Sequence, residues 1–135
     1  GESEKSEIKL SKKYGLHDKI RFLGNQIDVR KFLVASDIYL MPSKHEGIPI
    51  STIEAMMCGI PCILYDVPGL RDFNKRIDCS ILVEEDYRIL AAQIENLENV
   101  DSLRNMIVKN AFAEVHELYS LDKNASEIYS IYTKI

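Results

Sequence analysis

The apolar run Ile38-Tyr39-Leu40-Met41 feeds into Pro42-Ser43-Lys44-His45-Glu46-Gly47-Ile48-Pro49-Ile50, and the small-residue stretch Ala55-Met56-Met57-Cys58-Gly59 leaves it. No other part of the chain restricts the fold as much. An unbroken apolar run between turn residues suits a parallel strand covered on both faces. A strand, a tight glycine loop and a helix start bring backbone N–H groups and the positive end of a helix to one point. That point favours a phosphate. Glu46 and Glu54 stand beside it. Two carboxylates next to an anion site need another partner, and sugar hydroxyls supply one, because an ionised carboxylate only accepts hydrogen bonds.

The rest of the sequence alternates around this run. Residues 2–14 read as a helix closed by Gly15, and residues 19–24 as a short strand ended by Gly24. Residues 28–36 read as a short helix with Asp28 as N-cap and Val29, Phe32 and Leu33 on one face. Strands are expected at 37–41, 61–65 and 80–83, a turn at 66–69 and a short helix at 70–76. In the helix expected at 51–58, Ser51-Thr52-Ile53-Glu54 has the pattern of a capping box, with Ser51 as N-cap. Beyond residue 86 only helices are expected, at 87–97, 102–119 and 121–132. In the last of these, Ala125, Ile128, Ile131, Tyr132 and Ile135 form a stripe that should pack against the body of the fold. Strands alternating with helices through short loops give an α/β, Rossmann-like parallel sheet flanked by helices, with about four strands and a helical C-terminal tail. Ligands of such sheets lie at the carboxyl ends of the strands, where the Glu46 loop falls.

At 135 residues the chain is of single-domain size. Its net charge of −4 argues against nucleic acid as a partner. No apolar stretch approaches the roughly 18–20 residues of a membrane span. Cys58, Cys62 and Cys79 lack framework spacing and read as core residues in a reducing setting.

The Glu-x7-Glu run from Glu46 to Glu54 resembles the signature of retaining GT-B glycosyltransferases of family 4, also called glycosyl transferases group 1. The likeness extends to Arg21-Phe22-Leu23-Gly24, Ser36-Asp37-Ile38-Tyr39-Leu40-Met41-Pro42-Ser43, Glu54-Ala55-Met56, Cys58-Gly59-Ile60-Pro61 and Ile81-Leu82-Val83, all in family order. It covers about residues 5–133. The resemblance implies the nucleotide-sugar-binding C-terminal domain of such an enzyme. Family domains carry two further strands before the helix expected at 2–14, so residues 1–135 are expected to be one partial domain. The N-terminal acceptor domain would be missing too. A sheet lacking those strands would expose an unpaired edge open to self-association.

The resemblance also implies roles. Glu46 is the catalytic candidate and would bind donor-sugar hydroxyls. Gly47, Ile48, Pro49, Ile50 and Ser51 would line the sugar and diphosphate, with Ile48, Ile50 and Ser51 offering N–H groups that Pro49 lacks. Glu54 would hold the ribose, in competition with its capping role. Ser43, His45, Gly24 and Asn25 are secondary candidates: His45 as a pocket residue rather than a base, Gly24 and Asn25 near the nucleoside base. Lys44, Arg71, Lys75 and Arg76 could meet phosphate charge or form a solvated face, and Asp72 departs from the commoner glutamate. The implied partner is a nucleotide-diphosphate sugar as co-substrate, with no cofactor and no metal. The implied setting is cytoplasmic, with peripheral attachment at the inner membrane face open to the parent. The parent would transfer a sugar with retention to a glycan, lipid or other acceptor, while this chain alone would be inactive. A nucleotide-sugar epimerase on the same fold and a non-catalytic α/β module with a vestigial pocket stay open as alternatives.

Overall fold

A computed structural model describes residues 2–133, with the side chains of Glu2 and Ser3 left aside. Helix α1 (Glu2–Lys13) is followed by the short helix α2 (Arg30–Leu33), strand β1 (Tyr39–Met41), helix α3 (Ile50–Met57) and strand β2 (Cys62–Tyr65). A 3₁₀ turn (Arg71–Asn74), strand β3 (Ile81–Val83) and helices α4 (Tyr87–Asn99), α5 (Asp101–Leu118) and α6 (Leu121–Tyr132) complete the chain.

The strands form one parallel sheet in the order β1-β2-β3, with Tyr39 opposite Cys62 and Ile63 opposite Ile81. Each crossover is local. α3 returns the chain from β1 to β2 and packs on both, while α4 packs on β2 and β3 and α5 lies against α3 and α4. The centre of the sheet is therefore the driest part of the molecule. Cys62, Ile63 and Leu64 are completely buried, with Met56, Leu70, Leu97 and Val115 around them. Burial, together with nearby Cys79, pushes the Cys62 thiol up to about 12, and its Sγ donates to the Ile60 carbonyl. Cys62 and Cys79 are buried core residues, as expected, whereas Cys58 is only half-buried.

Local chemistry fixes the element ends. At the end of α3, Gly59 takes φ 73°, its N–H donates to the Met56 carbonyl and the Ile60 N–H to that of Ala55. This is the Schellman closure, and Pro61 then bars further helix. Asp86 caps α4 by accepting from the Arg88 N–H at 2.7 Å, and Ser120 caps α6 through the Lys123 N–H. Asn74 ties the 3₁₀ turn to β3: its amide nitrogen donates to the Ser80 carbonyl, and its oxygen accepts from the Cys79 N–H and the Ser80 hydroxyl.

The fold class is the expected one, but three details differ. The sheet has three strands, not about four, because residues 19–24 join no ladder among the described residues. Ile20, Phe22 and Leu23 are each about 40 % exposed, and β1 is an edge strand of the sheet. The short helix expected at 28–36 contracts to α2. Asp28 accepts from the Arg30 N–H at 3.2 Å in a local turn, while Val29 occupies the cap position. Finally, the α6 stripe does not pack. Ile128 is 56 % and Ile131 64 % exposed, no residue of α6 is buried, and Ile135 lies outside the described residues. Helix α6 meets the fold chiefly along α5.

Candidate functional site

Because all three strands run the same way, the loops after Met41, Tyr65 and Val83 emerge at one end of the sheet. Contacts bear this out. Lys44 of the first loop pairs with Glu85 of the third at 3.6 Å, and the Asp66 N–H donates to the Val83 carbonyl at 2.7 Å. The second loop presses on the first at Gly69. This residue has φ 87°, and a Cβ there would overlap the carbonyl oxygens of Glu46 and Gly47. Two requirements therefore coincide at Gly69: a left-handed backbone and no side chain toward the Glu46 loop.

The Glu46 loop ends at the start of α3. Pro49, with φ −73° and ψ 113°, occupies the N-cap, and no side chain caps the helix. Ser51 is already inside the helix, so the expected capping box does not form. Proline suits the head of the helix because it needs no N–H partner there. Among the described residues, the N–H groups of Ile48, Ile50 and Ser51 donate to no protein acceptor. These three N–H groups lie at and just before the start of α3, the positive end of the helix. The Ser51 hydroxyl instead meets the Tyr39 hydroxyl at 2.8 Å.

With no cap to make, Glu54 is exposed. It is i+3 from Ser51, so both residues share one face of α3. Together with Tyr39, Leu23, Gly24 and Asn25 they line a hollow of about 350 Å³. A larger hollow of about 500 Å³ continues past Glu54 to Arg30, Leu33, Met57 and Cys58. Leu23, Gly24 and Asn25 thus border the same hollow as Ser51 and Glu54 of α3. Glu46 is half-buried in its loop, and among the described residues neither its carboxylate nor that of Glu54 has a hydrogen bond or ion pair. Ser43 turns its hydroxyl to the His45 carbonyl at 3.2 Å, shaping the loop rather than lining the hollow.

The cations considered for phosphate are all engaged. Besides Lys44, Arg71 donates to the Asp66 carboxylate at 2.9 Å and to its carbonyl, and Lys75 pairs with Asp72 at 3.0 Å. Arg76 reaches Glu114 and Glu117, which raise its pKa, the Glu117 hydrogen bond most. The positive groups left free at the loop are the helix amides. Tyr39 and Gly69 are the site residues that sequence reasoning passed over. An aromatic in an apolar strand reads as core, and Gly69 reads as an ordinary turn glycine. Only the parallel topology, which stacks the loop of Gly69 on that of Glu46, gives it a second meaning.

N-acetyl-alpha-D-glucosaminyl L-malate synthase of Bacillus anthracis is 31% identical over 126 residues, covering 93% of this chain and 33% of that protein. The UDP-Gal:alpha-D-GlcNAc-diphosphoundecaprenol alpha-1,3-galactosyltransferase of Escherichia coli is 28% identical across 87% of this chain and 30% of its own length. The chain thus spans about a third of these relatives. Among solved structures, Anabaena HepE in complex with UDP superposes with a TM-score of 0.88 at 20% identity, over 97% of this chain and 36% of that one. Sucrose-phosphate synthase from Thermosynechococcus elongatus does so with a TM-score of 0.86 at 27% identity, over 99% and 34%. The sequence profile of glycosyl transferases group 1 matches residues 1–114, which hold the whole sheet and both glutamates of the Glu46–Glu54 run, and the chain belongs to that family.

Proposed function

We propose that this chain is the donor-binding part of a glycosyltransferase that moves a sugar from a nucleoside-diphosphate donor to a glycan, lipid or other acceptor with retention at the anomeric carbon. The observation that carries the reading is the uncapped start of α3, with free N–H groups at Ile48, Ile50 and Ser51 between Glu46 and Glu54. The diphosphate occupies those amides. Glu54, one turn into the helix, accepts from the ribose, and Gly24 and Asn25 form the wall beside the base. Glu46 accepts from hydroxyls of the donor sugar. As the glycosidic bond breaks, negative charge grows on the diphosphate, and fixed amide dipoles oppose it without reorganising. Losing one such donor costs roughly 3–4 kcal/mol of barrier. Charge compensation of this kind needs no metal. The Anabaena protein of this fold is in complex with UDP, which supports a nucleotide as the ligand class. Turnover requires an acceptor-binding part, so this chain alone binds donor without transferring sugar. Among the described residues no helix is long and apolar enough to cross a membrane.

Calorimetric titration with UDP, GDP and UDP-sugars tests the reading. One diphosphate should bind selectively, and Glu54→Ala should weaken it about 10- to 100-fold, the value of hydrogen bonds to a charged group. Glu46→Ala should weaken the sugar nucleotide and leave the free diphosphate unchanged. Absence of binding by every nucleotide, or equal binding by Glu54→Ala, would overturn it.

A further inference from the structure

Taking the donor-site reading as its basis, we propose that Tyr39 is a positioning residue that fixes the Ser51 hydroxyl as a second reader of the ribose, beside Glu54. Tyr39 comes from β1 and Ser51 from the first turn of α3, and their hydroxyls lie 2.8 Å apart on the wall of the hollow that Glu54 also lines. Each hydroxyl has one proton to donate. Their mutual bond uses one and leaves one, so the pair carries a single free donor into the hollow. The phenol is the stronger acid of the two. Of the two directions the 2.8 Å contact allows, we take Tyr39 as the donor to Ser51 Oγ, which leaves the Ser51 O–H as the free proton.

The chemistry of the two readers is complementary. Ionised Glu54 only accepts, so it takes a hydroxyl that donates. Ser51 O–H donates, so it takes a hydroxyl oxygen that accepts. A vicinal diol offers both on adjacent carbons, and residues three apart on a helix, about 5–6 Å between their Cβ atoms, can address both at once. Without the phenol, a serine in the first turns of a helix can rotate its hydroxyl onto a preceding carbonyl and withdraw the donor. Tyr39 blocks that by occupying the Ser51 oxygen from the β1 side. Sequence gives no hint of the pair, since the two residues are twelve apart and one reads as core.

The test uses the diphosphate that binds the whole chain, with its 2′-deoxy and 3′-deoxy forms, against wild type, Tyr39→Phe, Ser51→Ala, the double variant and Glu54→Ala. Tyr39→Phe keeps the ring, so thermal unfolding should hardly change. Wild type should lose affinity for both deoxy forms. Tyr39→Phe and Ser51→Ala should each weaken the ribonucleotide about fivefold and abolish the same one of the two deoxy penalties. The double variant should be no weaker than either single one. If Glu54→Ala weakens binding while Tyr39→Phe keeps both deoxy penalties, the role of Tyr39 is wrong and the donor-site reading stands. If no nucleotide binds wild type, both fall together.

Discussion

Strand β2, Cys62–Tyr65, and the stretch Ile20-Arg21-Phe22-Leu23 are both short, largely apolar and close to a glycine or proline, yet they end in opposite environments. β2 has a parallel partner on each side and helices packed against it, and every residue in it is buried. Residues 20–23 have no ladder partner among the described residues, and each of the four is exposed. A strand is made by its neighbours. The hollow lies across this divide. Its α3 wall rests on β1 and β2, while its other wall, Leu23 to Asn25, is held locally, as by the Gln26 side chain donating to the Leu23 carbonyl at 2.6 Å. A nucleotide bound there would grip one fixed wall and order one looser wall.

The largest effect should come from the fixed side. Leu64 is fully buried in the central strand, so Leu64→Ala should remove about 2–5 kcal/mol of unfolding free energy. Urea denaturation should show a lower midpoint at unchanged slope. A loss below about 1 kcal/mol would mean that the sheet centre is not where the stability lies.

The same contrast explains what the sequence could and could not say. β2, α6 and the Glu46–Glu54 run were legible because each rests on local chemistry: an apolar run between turn residues, helical periodicity, or a strand–glycine–helix order. Residues 19–24 were not, since ladder bonding depends on a partner that no local pattern encodes. Ser51 was misassigned for a related reason. The capping box is a local motif, but Pro49 starts the helix earlier and Tyr39, twelve residues away, takes the serine hydroxyl. The α6 stripe shows that periodicity specifies an apolar face without specifying what meets it. Of the candidate site, Gly24, Asn25, Ser51 and Glu54 converge on one hollow, whereas Ser43, His45, Glu46 and Gly47 belong to the loop before it.

Gly69 tests how the two loops of the fixed side share one space. Gly69→Ala puts a β-carbon on a left-handed backbone and against two carbonyl oxygens of the Glu46 loop, neither of which can rotate away freely. A stability loss of about 1–3 kcal/mol should follow. The Glu46 loop must also move, so affinity for the sugar nucleotide should fall further than affinity for the free diphosphate. Equal affinities in the variant and wild type would show that the position of Glu46 does not depend on this contact.

The smallest effect belongs to the unpaired segment, and it is the most pointed test of the comparison. Phe22 is 38 % exposed and borders a shallow hollow of about 250 Å³ with Leu10, Tyr14, Leu16 and Ile20 rather than a closed core. A phenylalanine in a closed core costs about 3–5 kcal/mol on truncation to alanine. Here the surrounding side chains can close over the gap and water can enter it, so Phe22→Ala should cost about 1 kcal/mol or less. Amide exchange at residues 21–23 should be fast in both proteins, because exchange tracks the hydrogen bonds that protect an N–H, and among the described residues these N–H groups join no ladder. A loss near that of Leu64→Ala, together with slow exchange at residues 21–23, would mean that the segment is a strand in solution after all. A loss that also diminishes on dilution, as mass action requires of an assembly, would identify its partner as another copy of the chain.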